Sequence, residues 1–115
     1  MEVTARSLRG TRVIAVAGDV DLSSVAAIQA HIDSAFADGE SLIVVDLERV
    51  EFLDSSVLHT LFRALRRARG AGGDVAIVCV DPTICRVLEV FGLSGEIQIC
   101  RNVPQAAAAL APGTL

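Results

Sequence analysis

Between residues 41 and 62 the chain reads SLIVVDLERVEFLDSSVLHTLF, and the period of its apolar residues changes inside that stretch. Ile43, Val44 and Val45 form an unbroken apolar run, which predicts a buried strand ending at Asp46. Val50, Phe52 and Leu53 then supply apolar contacts for the connection. From Leu58 onward the spacing is helical: Leu58, Leu61, Phe62 and Leu65 recur at three- and four-residue intervals and put one face against a sheet. A buried strand that feeds directly into an amphipathic helix restricts the chain to folds that layer helices on a sheet. Asp54 stands where a helix N-cap belongs, so Ser55 and Ser56 fall in the first turn. Backbone N–H groups and the positive end of the helix dipole favour an anion there. Ser55 is therefore a candidate phosphate-bearing hydroxyl, with Ser56 as the alternate.

The same alternation runs through the rest of the sequence. Residues 3–8 and 12–17 read as an antiparallel strand pair joined at Arg9-Gly10. Val25, Ile28, Ile32 and Phe36 mark a helix after Asp21-Leu22-Ser23-Ser24 that stops at Asp38-Gly39. Past the helix over 55–69, the glycine-rich turn at 70–73 leads into a strand over 75–80. Asp81 and Pro82 suit the N-cap and first position of a third helix that Gly92 ends. A strand over 96–100 follows, then an alanine-rich helix capped by Asn102 and ending before Pro112-Gly113. The expectation is a single α/β domain over residues 1–115, with a mostly parallel mixed sheet of four to five strands and about four helices. In such a sheet Asp19, Asp21, Asp46, Glu48, Glu51, Asp54 and Asp81 all belong near the carboxyl ends of the strands, the pole that carries Ser55. A partner docking there should present basic residues.

Charge and motif content exclude several functions. A net charge of −4 argues against a nucleic-acid partner. No charged-then-apolar leader precedes the first strand, and no apolar run approaches the roughly 20 residues that span a bilayer. The reading is of a cytoplasmic chain without a membrane partner. An acidic pole suggests a phospho-accepting receiver, but that chemistry needs a lysine against the phosphoryl oxygens, and all ten basic residues are arginine. The only glycine cluster precedes a strand, the wrong order for a phosphate-cradling or dinucleotide loop. His31 and His59 are the only histidines, and the Gly-x-Ser-x-Gly elbow of a serine hydrolase is missing, so no enzyme activity is expected. His59 reads as a solvated neighbour of Arg63 and Arg66. Arg63, Arg66, Arg67 and Arg69 complement the negative end of their helix dipole, and as a set they could equally meet acidic groups of a partner. Cys79, Cys85 and Cys100 have no Cys-x-x-Cys spacing, which argues against zinc; small buried hydrophobes are favoured over a redox pair. Nothing calls for a metal or a cofactor.

The segments Gly18-Asp19-Val20-Asp21-Leu22, Val45-Asp46-Leu47, Phe52-Leu53-Asp54-Ser55-Ser56, Gly72-Gly73 and Phe91-Gly92-Leu93 are together similar to one family. Across nearly the whole chain the sequence resembles the STAS domain, shared by anti-sigma factor antagonists and the cytoplasmic tails of sulphate transporters, with the free-standing antagonists the closer match. The resemblance implies a domain that, when unphosphorylated, binds an anti-sigma factor that is also a serine kinase. Phosphorylation of the serine after the aspartate, here Ser55, would release it, and a PP2C-type phosphatase would reset it. It further implies a partner-binding surface over Asp19, Asp21, Leu22, Leu53, Asp54, Ser55, Ser56, Val57 and His59. Val20, Leu22, Leu53 and Val57 are candidates for its apolar centre, or for the core. Both a monomer and a homodimer stay open. One position departs from the family's pattern: Val57 stands where glycine is common, and a branched side chain there is expected to narrow the approach to Ser55. The competing reading is an unphosphorylated STAS assembly subunit of a transporter or signalling complex.

Overall fold

Three strands with apolar residues on both faces code for a sheet covered on both sides. In the computed structural model, which describes residues 1–110, five strands lie in the order β1-β2-β3-β4-β5. They are β1 (Glu2–Leu8), β2 (Thr11–Val20), β3 (Leu42–Leu53), β4 (Asp74–Val78) and β5 (Gln98–Cys100). β1 is antiparallel to β2, and every other pairing is parallel. The β1–β2 hairpin turns on Arg9 and Gly10 at φ 52° and 85°, the pair of left-handed residues that a two-residue hairpin matched to strand twist requires. Each later crossover carries one helix: α1 (Val25–Ala37), α2 (Leu58–Gly70) and α3 (Pro82–Val90). Because successive crossovers step along the sheet in one direction, all three helices lie on the same face. α4 (Val103–Leu110) covers the other.

Side-chain alternation explains how the thin sheet serves two cores. Ile14, Ile43, Val45, Val75 and Ile77 face α1, α2 and α3 and meet Ile28, Ile32, Leu61, Leu65, Ile84 and Leu88. Val13, Val44, Ala76 and Val78 point the opposite way, toward Ala106 and Leu110 of α4. Strands apolar on both faces are the mark of parallel sheets. The anticipated caps are in place. The Asp81 carboxylate accepts from Thr83 N at 2.8 Å and Ile84 N at 3.3 Å, and Asn102 Oδ1 accepts from Gln105 N at 2.8 Å. Gly92 closes α3 with φ 81°. The expected stop of α4 at Pro112-Gly113 lies outside the described residues. Among those residues no helix is long and apolar enough to cross a membrane.

Two strands differ from expectation: β2 runs past Ala17 through Asp19 to Val20, and β3 is longer still. β3 does not end at Asp46 but runs on to Leu53, pairing Ala17 to Val20 of β2 with Arg49 to Leu53 across two register shifts. β4 pairs with β3 only as far as Asp46. The ends of β2 and β3 therefore form a two-stranded overhang with a free edge, where Glu48, Arg49 and Glu51 remain exposed while Leu47, Val50 and Leu53 turn inward. The charged residues that suggested a loop are the solvated edge of a ribbon. Phe52, expected to pin the connection through apolar contact, is 53% exposed.

Candidate functional site

The overhang delivers two similar turns side by side. Val20 and Leu53 are register partners, and Asp54 N donates to Val20 O at 2.8 Å. Each strand then passes through an aspartate and a short 3₁₀ turn, Leu22–Ser24 or Ser55–Val57, before its helix begins. The two turns touch. Asp21 caps the first as a capping box: its carboxylate accepts from the Ser23 backbone and hydroxyl, while Ser24 Oγ accepts from Asp21 N at 3.2 Å. The Ser23 hydroxyl, with the other Ser23 and Ser24 donors, holds the Asp21 carboxyl below its usual range. Asp54 caps the second turn, accepting from Ser56 N at 2.9 Å.

That cap sorts the two serines. Ser55 is exposed. The Ser56 hydroxyl oxygen is buried, with no hydrogen-bond partner among the described residues. Ser55 and His59, one helical turn apart on the same face, border a shallow depression of about 500 Å³ completed by Ser56, Leu58, Phe62 and Phe91. Phe91, at the end of α3, is 52% exposed. The chemistry on offer is an accessible hydroxyl beside a helix start and an apolar floor; the depression presents one imidazole and no second titratable group to make a base–nucleophile relay.

The expected apolar centre needs correction. Val20, Leu53 and Val57 are buried in the core, at 4% exposure or less, and only Leu22, 70% exposed, faces outward. Leu53 and Val57 therefore offer a partner no surface. Val57 sits where the 3₁₀ turn passes into α2, and its branched side chain points into the α2–sheet core, so it does not narrow the approach to Ser55. Its role is packing. The acidic pole is also divided. Asp19, Asp21 and Asp54 stay with the paired turns, whereas Asp46 and Glu48 open on the α4 side, in a groove with Arg6, Arg49 and Asn102. Asp81 is occupied as the α3 cap. Sequence reasoning missed Phe52 and Phe91 as exposed aromatics near the turns. Their signal was an aromatic directly beside a buried neighbour, Leu53, and another against a helix-ending glycine.

The arginine set of α2 is partly used within the domain. Arg67 reaches Asp33 at 2.6 Å and lies over the Phe36 ring at 4.3 Å, and Arg69 donates to Glu96 O at 2.8 Å. His59, Arg63 and Arg66 are exposed.

A family model for the STAS domain matches residues 2–106. The chain belongs to the STAS domain family. Among curated STAS relatives, the anti-sigma-F factor antagonist RsfB of Mycobacterium tuberculosis is 28% identical over 104 residues, covering 90% of this chain and 84% of its own. The anti-sigma F factor antagonist of Paenibacillus polymyxa is 24% identical, with 89% and 88% covered. A solved anti-sigma factor antagonist from Mycobacterium paratuberculosis superposes with a TM-score of 0.87 at 23% identity, over 96% of this chain and 94% of that one. SpoIIAA of Bacillus in its phosphorylated form gives 0.73 at 24% identity, over 94% and 98%. At these identities the structural likenesses establish the STAS fold, and the five-stranded mixed sheet with four helices agrees with it.

Proposed function

We propose that this STAS domain is an anti-sigma factor antagonist whose affinity for its anti-sigma factor is controlled by phosphorylation of Ser55. Curated relatives that align over most of the chain are named anti-sigma factor antagonists, and one solved relative of the same fold is described in a phosphorylated form. The observation that carries the switch is the contrast within the capped turn: Ser55 is exposed and the Ser56 hydroxyl is buried, so a kinase meets one acceptor. The domain acts by binding. Leu22, Phe52 and Phe91 supply exposed apolar contact around Ser55, and Asp19, Asp21, Asp54 and His59 form the polar surround.

A phosphate on Ser55 adds roughly −1.5 to −2 charge beside Asp54 and Asp21. Against an acidic group of the partner about 5 Å away, repulsion at an effective dielectric near 20 is about 3 kcal/mol per unit charge. Each unit of charge corresponds to about a hundredfold loss of affinity. The folded domain itself changes little, because a helix start already favours an anion. Release is then local electrostatics, and a PP2C-type phosphatase restores binding by removing the charge.

The test is incubation with ATP and each anti-sigma kinase encoded in the same genome, followed by fragmentation mass spectrometry of tryptic peptide 50–63. Phosphate on Ser55 is the expected result. Phosphate on Ser56 or Thr60 instead, or on no residue with every kinase, contradicts the assignment; the latter favours an unphosphorylated assembly subunit.

A further inference from the structure

Outside the Ser55 face, two nucleophilic side chains come together that the proposed switch does not use. Cys79 directly follows β4, Cys85 lies in the first turns of α3, and their sulfurs are 3.0 Å apart as free thiols. A disulfide needs about 2.0–2.05 Å. The intervening backbone is held at both ends. Cys79 N donates to Cys100 O at 3.0 Å, Cys85 N donates to Asp81 O at 2.9 Å, and the Asp81 carboxylate fixes the helix start between them. Closure by side-chain rotation would leave all of these bonds in place. Cys100, although hydrogen-bonded to Cys79 through its backbone, packs in the core on the α4 side, whereas Cys79 packs on the α1–α3 side. It is out of the pair.

We propose that Cys79 and Cys85 form a dithiol modification site that a hydroperoxide converts to an intramolecular disulfide. Exposure assigns the order: Cys79 is 4% exposed, while Cys85 is only half-buried and meets the oxidant first. The Cys85 thiolate attacks the peroxide O–O bond, forming an S–O bond and, with one proton, releasing water or an alcohol. The resulting sulfenic acid is then attacked by the Cys79 sulfur; an S–S bond forms, the S–O bond breaks, and the departing oxygen takes the Cys79 proton as water. Two thiols lose two electrons and the peroxide gains them. Burial, then the neighbouring Cys85 as hydrogen-bond partner and negative charge, push the Cys79 thiol up to about 12. A dithiol reductant reverses the bond by exchange. The inference stands apart from the Ser55 switch and does not depend on it.

The sequence allows a direct test, because tryptic cleavage after Arg69 and Arg86 leaves both cysteines on peptide 70–86 and puts Cys100 on peptide 87–101. The full chain is treated with hydrogen peroxide under native conditions, alkylated and mapped without reduction. Peptide 70–86 should lose the mass of two hydrogens and resist alkylation, the free-thiol count should fall from three to one, and dithiothreitol should restore both. Cys100→Ala should behave as the parent, and Cys85→Ala should leave peptide 70–86 unlinked. A link through Cys100, a link between two chains, or Cys85 oxidised to sulfinic acid with Cys79 still alkylatable would overturn the proposal.

Discussion

Gly73 shows what one missing methyl group does for this fold. A Cβ there would lie 2.0 Å from Ser41 O and 2.6 Å from Ser41 Oγ, at the point where Asp74 N donates to Ser41 O and β4 starts beside β3. Backbone on both sides must move to admit it. Gly73→Ala is expected to lower unfolding stability by about 2–4 kcal/mol in urea titration, whereas Gly95→Ala, which meets nothing within 4 Å, should stay within about 0.5 kcal/mol of the parent. Equal effects at the two positions would contradict the packing described. The same scale marks where the sequence could be read and where it could not. Asp54, Asp81 and Asn102 were legible as caps because capping depends on residues two or three positions away. The inward turn of Val57 and the outward turn of Phe52 were not, since they flank the 3₁₀ turn, Phe52 at the end of the strand and Val57 at the entry to α2, where the facing of a side chain is set by neither period.

For an element, the cap that sorts Ser55 from Ser56 also holds the 3₁₀ turn that leads into α2. Removing its carboxylate leaves Ser56 N without its acceptor, so Asp54→Ala should destabilise the domain by about 1 kcal/mol, and Asp54→Asn, which retains a capping oxygen, by less. Chemical denaturation of the two variants reads the difference; indistinguishable losses would mean the cap is not what holds the turn. The elements themselves were mostly legible, because each helix carries its own apolar stripe and its own start and stop signals. The exception is the second half of β3. Its charged residues fit no buried strand, and only pairing with β2, a partner about thirty residues earlier in the chain, makes them the edge of a ribbon. The Cys79–Cys85 contact was hidden for a related reason: a six-residue separation says nothing until the strand-to-helix turn folds it back.

Across the whole molecule, two shifted carboxylates contribute to the acid dependence of stability. Asp21 is held low by Ser23 and Ser24, and Asp33 by Gln29 first and Arg67 second. Each has a folded-state pKa below the ordinary 3.8, so its contribution is present above that value and is lost as pH falls through the folded pKa. Urea unfolding followed from neutral pH downward should show stability falling below about pH 4, with a shallower fall in the Asp21→Asn, Asp33→Asn double variant. An unchanged acid limb would remove these two carboxylates from the account. Fold class was legible at this scale from the alternation of elements, while the division of the acidic pole between two faces of the molecule required the β2–β3 overhang to be seen. The central claim, that negative charge placed on the exposed Ser55 side chain governs partner binding, is tested most directly by calorimetric titration of an anti-sigma factor from the same genome with the parent, Ser55→Ala and Ser55→Asp. Parent and Ser55→Ala should bind alike while Ser55→Asp, with an unchanged fold, binds about a hundredfold more weakly; three equal affinities would contradict it.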